Sequence, residues 1–156
     1  VIKAAYLANF LRYIDWPQNT APDAPPPTIG VIGPHPILVY LEQMSRQPNR
    51  QEFRVRQIAS ETLSDDCHIL FIPGSLDADL QRKIIRAAKE SPILTVGENL
   101  HFLEEGGDVR FVVQENRVRL EIAMRAVEAK HLKVSAKLLQ IARVVDAEPR
   151  LSQGSR

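Results

Sequence analysis

Three sets of residues in this chain have types and spacings that could do chemistry. The first lies where short apolar runs end in glycine: Gly33-Pro34-His35, Gly74-Ser75 and Gly97-Glu98-Asn99. In open α/β sheets, ligands sit beyond the carboxyl ends of the strands, where helix N-termini offer free N–H groups. His35 would then face a small ligand, although glycine at such a corner also serves ordinary turn chemistry. The second set is Lys133-Val134-Ser135-Ala136-Lys137, two lysines around a serine at a helix start, where the helix dipole favours an anion. Arg110, Arg117 and Arg119 add positive charge nearby in sequence, and a solvated face is the competing reading. From these two sets His35, Arg110, Arg119, Lys133 and Ser135 are the expected ligand or anion contacts. The third set is aromatic: Tyr6, Phe10, Tyr13 and Trp16. Core packing explains the first two, and Tyr13 and Trp16 are the expected partner contacts.

Catalytic signatures are missing. There is no Gly-x-Ser-x-Gly, no phosphate loop and no Gly-x-Gly-x-x-Gly after a strand. His35, His68, His101 and His131 are scattered; His101 and Glu104 share a helical spacing, but two ligands do not make a metal site. Asp65-Asp66 reads as turn chemistry before a strand. Cys67, the only cysteine, reads as a small buried hydrophobe and excludes a disulfide within one chain. The expectation is a module that binds, with no catalytic residue, cofactor or metal.

Those residues need a scaffold. The 156 residues suit one domain, expected over 1–148 with a polar tail at 149–156, and 44% apolar content can build a core. Twenty basic against 19 acidic residues lack the basic excess of a nucleic-acid binder. No apolar run approaches the roughly 20 residues of a membrane span. Val1 opens directly in a helical pattern without Met, so a longer natural N-terminus is expected, through either a removed signal peptide or a shortened chain.

Residues 1–14 read as a helix apolar over much of its circumference, either deeply buried or paired with another chain. Pro17 ends it, and Gln18 to Pro27 is proline-rich and extended. Apolar runs at 28–33, 68–72 and 93–97 read as buried strands, and 53–58 alternates like a strand with one wet face. Helices are expected over 36–44, 77–90, 99–104, 123–132 and 135–145. Segments 108–114 and 117–122 read as a hairpin over Glu115-Asn116, with Val118, Leu120 and Ile122 on one face. These alternations predict a three-layer α/β fold, a mostly parallel sheet flanked by helices on both faces, with an antiparallel edge hairpin.

In order, these segments resemble the YfiR family. The resemblance rests on Ile2-Lys3-Ala4-Ala5-Tyr6-Leu7-Ala8-Asn9-Phe10 leading to Trp16-Pro17, then Ile29-Gly30-Val31-Ile32-Gly33, Cys67-His68-Ile69-Leu70-Phe71-Ile72 and Ile93-Leu94-Thr95-Val96-Gly97. Gly106-Gly107, Val118-Arg119-Leu120-Glu121-Ile122 and the run Ser135 to Arg143 complete it. The resemblance implies a secreted protein of a Gram-negative bacterium, freed of its signal peptide. It implies a periplasmic repressor that binds the sensor domain of a membrane diguanylate cyclase and so lowers cyclic di-GMP and biofilm formation. A homodimer through the first helix is consistent with it, with no nucleic acid and no membrane insertion. The best-understood relatives carry several cysteines in disulfides, whereas this chain has only Cys67, so regulation here would come from a ligand, a partner or an intermolecular bond. A small-molecule sensor with a pocket at the strand ends or near Lys133 is the competing function.

Overall fold

Helix α1 (Ile2–Tyr13) buries Ala4, Leu7, Ala8, Phe10 and Leu11, which accounts for its nearly all-round apolar sequence. The computed structural model describes residues 2–17, 24–48, 52–59 and 67–145. Asp65-Asp66, the start of the proline-rich stretch and the polar tail lie outside them. After α1 come β1 (Ile14–Asp15), β2 (Thr28–Ile32), α2 (Ile37–Ser45), β3 (Arg54–Ile58) and β4 (Ile69–Ile72). Then follow α3 (Ala78–Ala88), β5 (Leu94–Gly97), β6 (Val109–Gln114), β7 (Arg117–Ala123), α4 (Met124–Ala129), β8 (Lys133–Val134), α5 (Ala136–Ile141) and β9 (Ala142–Val145).

Among the described residues seven strands form one sheet in the order β3-β2-β4-β5-β6-β7-β9. The first five are mutually parallel, β7 turns back antiparallel to β6, and β9 runs parallel to β7. Strand period two sorts side chains between two cores. Ile29, Val31, Ile69, Phe71, Leu94, Val96, Val109 and Phe111 pack with α1, α2 and α5 on one face. Ile32, Leu70, Ile72 and Ile93 pack with Ile84 and Ile85 of α3 on the other. The fold is the expected three-layer α/β arrangement. A separate pair, β1 with antiparallel β8, fastens the end of α1 to the segment before α5.

Two expected helices take other forms. Residues 99–104 make successive turns, closed by the Phe102 N–H to the Asn99 carbonyl (3.0 Å) and the Gly107 N–H to the Phe102 carbonyl (2.9 Å). The cause is the Phe102 ring, wedged between two glycines. A Cβ on Gly97 would lie 2.4 Å from it, and one on Gly107 2.2 Å. Gly106 adds a positive φ of 110° that disfavours other residues. The end of the 135–145 segment is the strand β9, because Ala142 leaves the helical region and pairing with β7 satisfies the backbone. β9 therefore extends the sheet beyond the hairpin.

Candidate functional site

The strand ends are cross-linked by the protein's own groups. Glu98, just beyond β5, accepts the Gly74 N–H on Oε1 (2.9 Å), and its Oε2 pairs with Lys3 Nζ reaching down from α1. Burial pushes the Glu98 carboxyl up, but the Lys3 hydrogen bond, the Gly74 N–H and the charges of Lys3 and His35 outweigh it, so it sits below the usual carboxylate range. His35 accepts the Ile37 N–H on Nδ1 (3.0 Å) and turns its ring edge-on to Phe71, with centroids 5.5 Å apart. At the start of α3, Asp77 accepts the N–H groups of Asp79 and Leu80. At these strand ends the protein's own side chains accept the N–H groups of Gly74, Ile37, Asp79 and Leu80, and Gly97 seats Phe102.

Ser135 likewise works as a helix cap: its Oγ accepts the Leu138 N–H, and its own N–H donates to the Tyr13 carbonyl (2.8 Å). Lys133 is exposed on β8, opposite Asp15 in register. Beside it runs an open groove of about 420 Å³ lined by Met124, Glu128, His131, Leu132, Lys133 and Val134. Arg110 is held by Glu121 (2.9 Å) and the Asn99 carbonyl (2.8 Å), while Arg119 is exposed on the hairpin. The hairpin arginines do not converge with Lys133. Arg110 pairs in register with Gly97 at the carboxyl end of β5, whereas β8 lies with β1 next to Trp16 and His68, at the opposite end of the parallel strands.

Of the aromatic pair, Tyr13 is half-buried and packs on the core, and Trp16 is only 4% exposed. The Trp16 Nε1–H donates to the His68 carbonyl (3.1 Å), and its ring meets the His68 ring edge-on at 5.6 Å. Trp16 thus anchors the chain after α1 within this molecule. Cys67 is buried in the second core.

Two features escaped the sequence. One is a buried polar cluster in which Asp108 Oδ2 accepts from Thr95 N–H (2.8 Å), Thr95 Oγ1 (3.0 Å) and Lys130 Nζ (2.6 Å). Complete burial pushes the Asp108 carboxyl above its ordinary range, against the pull of Lys130 and Thr95. No long-range partner of Lys130 is readable from its neighbours in the chain. The other is an apolar rim at the end of the sheet. Ile141 (56% exposed) ends α5 and Val144 (52%) lies on β9, whose outer edge has no further strand among the described residues. Among those residues no three His, Cys, Asp or Glu side chains form a metal-binding group, and no helix is long and apolar enough to cross a membrane.

The sequence profile described as YfiR/HmsC-like matches residues 1–143, nearly the whole described chain. The chain belongs to the YfiR/HmsC-like family. No curated protein matches it. YfiR/HmsC-like proteins are periplasmic regulators rather than catalysts. The strand-end ion pair, the capped helix starts and the apolar rim at β9 are therefore features of a regulatory domain.

Proposed function

We propose that this chain is a periplasmic repressor that binds the sensor domain of an inner-membrane diguanylate cyclase and holds the enzyme off, lowering cyclic di-GMP and biofilm formation. The observation that carries this reading is the outer edge of β9, which has no further strand among the described residues and lies by the exposed Ile141 and Val144, in a chain whose family is regulatory. An unpaired strand edge with exposed apolar side chains is a template for another polypeptide. Tyr13, half-buried at the end of α1, is a secondary contact in this proposal, while Trp16 acts only by fixing the local backbone. The repressor works after removal of a signal peptide, and as a homodimer.

A second reading has one observation in its favour. The groove beside Lys133 combines Met124, Leu132 and Val134 with Glu128 and Lys133, a setting for a small molecule that tunes the repressor.

The test is capture of the folded chain on the periplasmic domains of membrane diguanylate cyclases from its host. Saturable binding to one of them, lost on Val144→Glu, supports the repressor. A folded chain that binds none of them overturns it.

A further inference from the structure

Strands β6, β7 and β9 carry a charge pattern that the apolar rim does not explain. Along β6, β7 and β9 side chains alternate between the two faces of the sheet. Val109, Phe111, Leu120 and Ile122 enter the core beneath α1. Arg110, Arg117, Arg119, Glu121 and Arg143 take the opposite face. In register, Arg110 lies across from Glu121, Arg119 from Val112 and Arg117 from Gln114, with Arg143 beside Glu121 on the outer strand. Every arginine of these three strands is on this one face, and Glu121 is their only carboxylate. The chain as a whole is balanced, with 20 basic and 19 acidic residues, so this is local segregation of charge.

Glu121 neutralises only part of the face. It lies 2.9 Å from an Arg110 nitrogen and 3.8 Å from Arg143, whose side chain is 79% exposed. Arg117 and Arg119 are exposed, and no carboxylate pairs with either among the described residues. Helix α3 packs through Ile84 and Ile85 with Leu70 and Ile72 of β4 and with Ile93, in a cluster that reaches the strands of this face at Ala123 and Val145. On this face Arg117, Arg119 and Arg143 are exposed, while Arg110 and Glu121 are largely covered and Ala123 and Val145 join the core on the α3 side.

We propose that this face, together with the outer edge of β9, is the docking site for an extended acidic polypeptide segment. Guanidinium groups present paired donors that match carboxylates. The adjacent strand edge offers backbone N–H and C=O groups that only a polypeptide can pair, which selects a protein segment over a lipid surface. A strand added there alternates its side chains. One set falls beside Arg143 on the arginine face, and the other falls beside Val144 on the apolar face. The fitting segment therefore has acidic residues at every second position and apolar ones between. The inference rests on the chain being a protein-binding regulator and names the chemistry of the segment it takes.

The experiment is a fluorescence-anisotropy titration of the whole chain into a labelled peptide of alternating glutamate and valine, at low and at physiological salt. Saturable binding is expected, weaker at higher salt. The charge reversal Arg117→Glu/Arg119→Glu should weaken it by roughly tenfold or more, and Arg143→Glu should weaken it as well. Lys83→Glu/Lys89→Glu, exposed on α3 and at its C-cap, should leave it unchanged. N-methylation of alternate peptide amides should abolish strand pairing and with it most of the affinity. Absence of peptide binding, or equal binding by the arginine variants, overturns the proposal. So does arginine-dependent binding to phosphatidylglycerol vesicles without binding to the peptide. A failed peptide overturns the arginine face even where a cyclase is captured, and a bound peptide supports it even where every cyclase fails.

Discussion

Lys130 places its Nζ 2.6 Å from Asp108 Oδ2 and 2.8 Å from the Ile93 carbonyl, with both side chains buried. Lys130 caps the C-terminus of α4, and Asp108 and Ile93 immediately precede β6 and β5. One side chain thus fastens the helix that leads into β8 and α5 to the middle of the sheet. Breaking a buried pair from one side leaves an uncompensated charge and costs about 3–5 kcal/mol. Lys130→Met should lower unfolding stability in urea by that order. Lys130→Met/Asp108→Asn should recover part of the loss, since asparagine still offers an oxygen to Thr95 and carries no charge. Equal stability of the single and double variants would sink the pairing argument.

The wedge at Phe102 gives a second prediction. A Cβ at Gly97 or Gly107 would sit well inside contact distance of that fully buried ring, in an interior packed too closely to absorb it freely. Gly97→Ala and Gly107→Ala should each cost about 1–3 kcal/mol, the usual range for overpacking. Phe102→Leu removes ring atoms from the collision. Gly97→Ala/Phe102→Leu should therefore be more stable than the sum of the two single losses, a coupling that a double-mutant cycle reads directly.

Acid should destabilise the fold in two steps. Burial holds His68 below its ordinary value of 6.5, and its Nδ1 accepts the Thr28 N–H (3.2 Å), which needs the neutral ring. As pH falls through 6.5 the unfolded chain takes a proton that the folded chain refuses, so stability declines down to the folded value. Glu98, held below 4.5, keeps its contribution above that pH and loses it as the pH falls through its lowered folded value. Asp108 has the opposite sign. Its raised folded value means stability falls as pH rises from 3.8, so acid relieves its burial. His68→Asn should flatten the first step and leave the second, as followed by urea midpoints between neutral and acidic pH. An unchanged first step would assign it elsewhere.

The legible parts of this chain were those written locally. Continuous apolar runs announced β2, β4 and β5, and alternation announced the hairpin, whose Glu115 and Asn116 both adopt positive φ (51° and 63°) as its tight turn requires. Ser135 announced its cap. The misreadings have a common cause in long-range contacts. Ala142 to Val145 continues the helical spacing of Leu138 and Ile141, and only pairing with β7 makes it a strand. Residues 99–104 have helical composition, but Phe102 is drawn between glycines on either side. The pairing of Lys3 with Glu98, 95 residues apart, ties α1 to the strand ends, and nothing in the glycine spacing foretells it. Trp16 reads from the sequence as a partner contact because nothing near it foretells its hydrogen bond to the His68 carbonyl.

Closure of the strand ends by Lys3 and Glu98 can be weighed against the rim at β9. Both side chains of that ion pair keep some exposure, so the pair is worth under about 1 kcal/mol once solvent screening is allowed for. Lys3→Ala should therefore shift stability little. If regulation ran through a ligand at the strand ends, freeing Glu98 would alter partner binding. If it runs through β9, Lys3→Ala should bind the cyclase domain like the parent chain. Ile141→Asp and Val144→Glu should abolish that binding, with stability within about 0.5 kcal/mol because both residues are exposed. Equilibrium binding of the three variants, with urea unfolding of each, separates the two sites: a Lys3→Ala defect with intact Val144→Glu binding would move the partner surface to the strand ends.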